Sequence, residues 1–534
     1  MAVYEIKEFS GGISPFSDRG IRGSAKFLSN LDIRKTNDTL TCQQALEDEG
    51  LLGVSHSQSA SLSPSPSQSP SASNSPSHSP SLSNSPSLSP SSSASRSASK
   101  SLSPSASASP SSSVSASPSP SAGLYNVYVD LVLFWVKASD GNTYGFGNAG
   151  NIYRRYSDGF TRLVYTDPDG PIKGAVEKPS STGTTYLQWA NDVKVKRKLL
   201  PGSGIWTDVE TVAQNLTGSD WHTMKQVGGA NYIANGSKLA LVGYDDSFTN
   251  EALDLVPGNI AKTLVERNGR AVIGTYKPGF PNRGVNGAID TEYPLVQIGT
   301  DGELFFADFT NSMPVRRFPG GGRVNPGGVA NEVDQVEIFD WESNSLSWVD
   351  KQSMGNMALW GVFDTTDSTT YTGVYSLGRK NKDQPFTLNL EYALDVDEIG
   401  AVATVEGVTI ISYRDGTDFG VKAVDPDTKA VGTWEGLEFR PPIKRPISNT
   451  IFKYVEVFCE PLPAGTTIKF YYKKNHGSWT QASLADGSDA FTVTNGTQAV
   501  FRLGEEMDIF EPRIIATPYQ NITPAVVRLR TYFE

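Results

Sequence analysis

Val132-Leu-Phe-Trp-Val136, Asp140-Gly141, Thr143-Tyr-Gly-Phe-Gly147 and Ile152-Tyr-Arg-Arg-Tyr156 follow one another closely, and their reading decides the fold. Each apolar run is strand-length, rich in aromatic and β-branched residues, and bounded by a turn pair. Outward from there the pattern recurs. Tyr186-Leu-Gln-Trp189 precedes Val193-Lys-Val-Lys196. Ala230-Asn-Tyr-Ile233 and Leu239-Ala-Leu-Val242 flank Asn235-Gly236, and Leu264-Val-Glu-Arg267 and Ala271-Val-Ile-Gly274 flank Asn268-Gly269. Leu295 to Ile298 and Leu304 to Ala307 flank Asp301-Gly302, Trp360 to Phe363 is followed by Thr372 to Tyr375, and Val408 to Ile411 runs to Asp415-Gly416. Asn-Gly and Asp-Gly between strands are strong hairpin signals, because type I′ turns need positive φ. Units repeating at roughly 40–50 residues predict a β-propeller of about six or seven blades over residues 123–429, without a WD or kelch signature.

From residue 430 to 534 the alternation is cleaner. Phe452 to Cys459, Thr467 to Tyr472, Ala499 to Leu503, Arg513 to Ala516 and Val526 to Arg530 predict a β-sandwich. The whole chain therefore reads as all-β: a propeller followed by a sandwich.

Residues 1–54 read as an extended lead-in contributing strands to the propeller, and 55–122 as an insertion. Every odd-numbered position from Ser55 to Ser121 is serine, interleaved mostly with Pro, Ala, Leu, Asn, Gln and His. Such a stretch buries too little apolar surface to offset ordering its backbone, at ~1–2 kcal/mol per residue. Composition favours a solvated excursion; the period of two also admits an extended arm with its serines on one face, open to stacking or glycosylation. Leu40 to Leu46 before it and Leu124 to Leu131 after it both read as strands, so the repeat leaves from a loop within one domain.

The formal net charge of −11 argues against a protein that grips nucleic acid, since phosphate binding needs a basic surface. DNA could pass it without specific binding. Cys42 and Cys459 are too few and too far apart for a secreted disulfide framework, and read as reduced core residues. The N-terminus has no basic-then-apolar signal and no run of about 18 apolar residues occurs, so no membrane anchor is expected.

No catalytic constellation emerges. The four histidines, His56, His78, His222 and His476, lack metal-ligand spacing, and no cofactor motif is present. Asp167-Pro-Asp169, Asp245-Asp246, Asp364-Thr-Thr-Asp367 and Asp425-Pro-Asp427 could supply a glycosidase pair, but each sits where a turn is expected. Asn475-His-Gly-Ser-Trp479 reads likewise as a hairpin turn. The most distinctive loop is Phe318-Pro-Gly320-Gly321-Gly322-Arg323-Val-Asn-Pro-Gly-Gly328, preceded by Arg316 and Arg317. Glycine density beside arginines, with no helix start after it, predicts an inter-subunit or channel-lining loop.

Phe9-Ser-Gly-Gly-Ile-Ser-Pro-Phe16, the blade-like middle and the ending Ile515-Ala-Thr-Pro-Tyr-Gln-Asn-Ile-Thr-Pro-Ala-Val-Val-Arg-Leu-Arg-Thr-Tyr-Phe-Glu534 resemble tailed-bacteriophage virion proteins of the tail-hub or nozzle type. The resemblance is architectural. It implies a non-enzymatic homo-oligomeric ring around the DNA exit channel, contacting other tail or neck proteins and assembled into virions in the host bacterial cytoplasm. It brings no catalytic residue, and the serine insert departs from it. A host-surface or glycan-binding adhesion protein is the alternative, and a propeller glycosidase stands behind that.

Overall fold

The computed structural model describes residues 2–7, 25–32, 40–48, 127–157, 159–218, 222–255, 257–267, 269–276, 372–378, 387–441 and 450–534, with strand segments 295–298, 303–307, 314–318, 334–337, 352–354 and 357–362. Among the described residues every regular element is a β-strand, so the chain is all-β.

Seven antiparallel sheets follow in chain order. The first holds Val132–Lys137, Thr143–Gly147, Asn151–Arg155 and Thr161–Thr166. The second holds Gly174–Pro179, Thr185–Ala190, Val195–Leu199 and Glu210–Ala213; the third Met224–Val227, Ala230–Asn235, Lys238–Val242 and Phe248–Asp254. The fourth pairs Ile260–Arg267 with Arg270–Tyr276, and the fifth holds Leu295–Ile298, Glu303–Ala307, Pro314–Phe318 and Asp334–Glu337. The sixth holds Gln352–Met354, Met357–Val362, Gly373–Gly378 and Thr387–Ala393, and the seventh Glu398–Val405, Val408–Asp415 and Asp418–Lys429. The first strand of each sheet contacts the first strand of the next, and that of the seventh returns to that of the first. This is the closed, radial arrangement of a propeller.

Closure is a packing problem solved twice. Gln44–Asp48 supplies the seventh sheet's fourth strand, pairing Asp48 with Lys422 and Leu46 with Val424. An early strand thereby locks the last sheet to the chain that begins the first. At the facing seam, Ser412 Oγ donates to the Val132 carbonyl at 2.5 Å, and Gly400 approaches the same carbonyl so closely that a Cβ there would lie 2.3 Å from it. Ala401, Ala403, Ile410 and Ala423 of the seventh sheet bury against Leu131, Val132 and Leu133. Small residues on one side admit large ones on the other.

Residues 430 onward, with one lead-in strand apiece, form two further sheets of five strands each among the described residues. One runs Ala2–Ile6, Val526–Phe533, Ile451–Cys459, Gln498–Glu506, Ser483–Leu484; the other Ala25–Ser29, Gly432–Gly436, Phe510–Thr517, Thr467–Lys474, Trp479–Gln481. Val455, Val457, Phe501 and Leu529 of the first and Phe470, Phe510, Ile514 and Trp434 of the second bury into one shared core. Alternation sets which residues point inward, so Ile451–Cys459 and Thr467–Lys474 alternate between buried and half-buried residues along most of their length. Burying each such side chain contributes about 1.5–3 kcal/mol.

The lead-in differs from the sequence reading. It supplies Gln44–Asp48 to the ring as expected, but Ala2–Ile6 and Ala25–Ser29 pair with Val526–Phe533 and Gly432–Gly436 instead. Their partners lie hundreds of residues away, and short strands carry no local signal of whom they will join. Leu31 and Leu40 enter the sandwich core beside Trp360, Tyr375 and Leu390 of the sixth sheet, joining the two modules. Buried Glu391 accepts from Gln43 and Ser376 at that junction, and Asn389 Nδ2 donates to the Leu31 carbonyl at 2.9 Å.

Contacts separate residues 54–124 from the body formed by 1–53 and 125–534. The serine repeat lies outside the described residues, but its anchors do not. Asp48 pairs with Lys422, and Tyr128 bridges Phe419 on the same strand. Three residues of strand, about 10 Å, therefore separate where the excursion leaves from where it returns. Leu124 to Leu131, read as a strand, makes only that one bridge among its described residues.

Candidate functional site

Arg316 and Arg317 fall within strand Pro314–Phe318, opposite Phe306 and Phe305. Gly320, Gly321, Gly322 and Arg323, and Asp364 to Asp367, lie outside the described residues. Of the other acidic clusters, Asp167 to Asp169 and Asp245-Asp246 are turns, while Asp425 to Asp427 is a bulge inside strand Asp418–Lys429. Asp167 Oδ1 accepts from the Asp169 backbone N–H at 2.9 Å, Asp425 Oδ1 from Asp427 N–H at 2.8 Å, and Asp245 Oδ1 from Ser247 N–H at 3.1 Å. Each is the bond to the backbone two residues on that Asp favours. Asn475 and His476 take positive φ in the Thr467–Lys474 hairpin, where Asn475 Oδ1 accepts the N–H groups of Asp508 and Ile509. Among the described residues, no group of three or more His, Cys, Asp and Glu is placed to hold a metal.

The densest charged cluster surrounds the second sheet. Strand pairing puts Trp189 beside Lys196 on one face, and Gln188 beside Arg197 on the other. Toward the first sheet, Lys196 Nζ donates to Asp167 Oδ1 at 2.5 Å and also meets Asp169, while Trp189 Nε1 donates to Asp167 Oδ2 at 2.6 Å. Toward the third, Lys178 Nζ donates to Asp246 Oδ1 at 2.6 Å, Ser180 Oγ donates to Oδ2 at 2.7 Å, and Arg197 approaches at 3.4 Å. Asn231 Nδ2 donates to Gln188 Oε1 at 2.9 Å across the same seam. Lys178, Lys196 and Asp167 are buried, which is tolerable only because each charge is paired.

The electrostatics follow the contacts. Hydrogen bonds from Lys194 and then Lys196 hold the Asp169 carboxyl below its ordinary range, and Lys173 does the same for Asp192. Burial opposes ionisation of Asp246, but Lys178, Ser180 and Arg197 outweigh it and lower its pKa. Burial likewise works against the Lys196 ammonium, yet Asp167 and Asp169 hold its pKa up. Such carboxylates stay ionised and saturated with donors, so they are poor proton donors near neutrality. Asp130 is pushed upward by burial against hydrogen bonds led by Tyr153, and at 4% exposure it is enclosed by the protein. The cluster therefore joins sheets; it is not arranged for acid–base chemistry.

Sequence reasoning found both halves without joining them. Val193 to Lys196 read as a strand and Asp167 to Asp169 as a turn. The alternating lysines, Lys194, Lys196 and Lys198, were the available signal. His222, also passed over, is buried with Nδ1 2.7 Å from the Ala234 carbonyl and Nε2 2.9 Å from that of Asp192.

No protein-family model matches the chain, and no curated protein does. Among solved structures it is similar to an exo-β-1,3-galactanase from Phanerochaete chrysosporium, at 9% identity over 58% of this chain and 95% of that one, TM-score 0.22. It is similar to the extracellular domain of a protein assigned to a hybrid two-component system of B. thetaiotaomicron, at 10% identity over 75% of this chain, TM-score 0.36. It spans 55% of that domain's length. A protein from Thermus thermophilus assigned as a glucose dehydrogenase gives 14% identity over 55% of this chain and 96% of that one, TM-score 0.34. Scores this low leave the fold to rest on the strand topology and say nothing of activity.

Proposed function

We propose that the protein is a non-enzymatic structural component of a tailed-phage virion, assembling as a homo-oligomeric ring about the DNA exit channel beside other tail or neck proteins. The observation that carries this reading is the use made of the described acidic clusters. Asp167, Asp169 and Asp246 are bound to buried or half-buried cations between sheets, and Asp245 and Asp425 to backbone N–H groups two residues on. Side chains committed in this way brace a scaffold and leave no free acid–base pair among them. The early strands that join ring and sandwich add to it, since they make one body from two modules. With a net charge of −11, such a ring would let DNA pass without holding it.

Electron microscopy of the purified protein and of lysate particles tests the reading. Rings with a central channel, or density at a particle's tail, are expected. Monomers absent from every particle, with saturable glycan binding, would replace it with the adhesion reading.

A further inference from the structure

The outward face of the sandwich sheet that carries Ile451–Cys459 is unusual for a solvated surface. Pairing sets Tyr454 between Tyr532 and Arg502, Glu456 between Arg530 and Val500, and Phe458 beside Arg528. Tyr454 and Tyr532 stack with centroids 4.4 Å apart, and the Arg528 guanidinium lies 4.0 Å from the Phe458 ring. Val3 and Val500 add exposed apolar surface. Tyrosine, phenylalanine and arginine together make the composition of an interface core. The charges are unevenly used. Glu5 and Glu456 serve Arg530, and Glu5 reaches Arg528 only at 3.6 Å. The Arg528 Nε is buried without a partner, and exposed Arg502 has none among the described residues.

The opposite imbalance occurs at the end of the seventh sheet. Asp415 and Asp418 face each other directly across the closing turn, both exposed. Neither has an ion-pair partner among the described residues. Nearby Arg414 is taken by Glu398 at 2.8 Å and Asp397 at 3.5 Å. Like charges directly opposite destabilise a hairpin, and a cation between them would relieve it.

From this complementarity we infer that the arginine–aromatic face of one copy receives the Asp415–Asp418 tip of a second copy of this chain. The inference rests on the ring reading and supplies its contact. Two different patches meeting make a head-to-tail interface, the kind that closes into rings. Nucleic acid fits this face less well, because Glu5 and Glu456 lie within it and the chain as a whole is acidic.

The test uses the full chain. Self-association is measured by sedimentation at low and high salt for wild type, Arg502→Glu/Arg528→Glu, Asp415→Lys/Asp418→Lys, and an equimolar mixture of the two variants. Arg502→Glu alone, at an exposed and unpaired position, guards against misfolding of the double variant. Expected are at least tenfold weaker association for each double variant, a smaller loss for Arg502→Glu, and recovery in the mixture. Wild-type association that no reversal disturbs would overturn this contact and leave the ring reading standing. A wild type that never associates would overturn the contact too, and particle microscopy would then judge the ring reading separately. A reversal that abolishes DNA binding but spares self-association would assign the face to nucleic acid instead.

Discussion

Lys196 Nζ stands 2.5 Å from Asp167 Oδ1, with both side chains buried between the first two sheets of the ring. Asp167 also accepts from Trp189, so removing it orphans the indole N–H and leaves the buried ammonium only the half-buried Asp169. Asp167→Ala is expected to cost about 2–3 kcal/mol in denaturant unfolding. Adding Lys196→Met should cost less than the sum of the two changes, because the buried charge that lost its closest partner leaves with it. Strict additivity would mean the pair does not couple.

The anchors of the serine repeat lie three residues apart on one strand, at Lys422 and Phe419. Replacing residues 54–124 by about eight Gly/Ser residues should therefore leave the fold intact. Shortening the loop between these anchors roughly fivefold should raise stability by up to about 1.4 kcal/mol, read as a higher calorimetric midpoint. Loss of cooperative unfolding would show that the repeat is needed to close the ring.

Acid should loosen the ion pairs within and between the sheets. Asp169, Asp192 and Asp246 have folded-state pKa values below the ordinary one, so their contribution is complete above about pH 4 and is lost as pH falls through the lowered values. Asp130, raised by burial, works the other way. The melting temperature should fall steadily between about pH 4 and 2, and Lys173→Met, which removes the Asp192 partner, should flatten that limb. A flat profile over this range would contradict the assignment.

Cys42 and Cys459 are free and buried. Burial pushes the Cys42 thiol up, and that of Cys459 up to about 11. Neither should react with a thiol reagent at pH 8 in the native state, and both should react in strong denaturant. Rapid native labelling of Cys42 would show that the region around Leu31 and Leu40 opens readily.

Local signals were legible where local chemistry decides. Gly236, Gly269 and Gly416 take positive φ, and strands lie on both sides of them, but Asn235 and Asp415 end their strands opposite Lys238 and Asp418, so those two turns sit one residue beyond the pairs that marked them. The partners of Ala2–Ile6 were not legible, because Ala2 opposite Phe533 is a fact of assembly that neither strand encodes alone. The charged seam was missed for the same reason. A lysine in a strand reads as solvent-facing until its carboxylate is placed, and Asp167 arrives from a turn that looked complete in itself.

The strand Gln44–Asp48 has a consequence in time as well as in space. Asp48 is made 374 residues before its partner Lys422. At about 5–20 residues per second, ribosomal synthesis keeps that strand waiting about 20–75 s for its seat. The sheets between can pair as they emerge, but the ring cannot shut while the chain is short of Lys422. A truncated product would thus carry two open sheet edges at the seam, the kind of surface that invites mispairing between nascent chains.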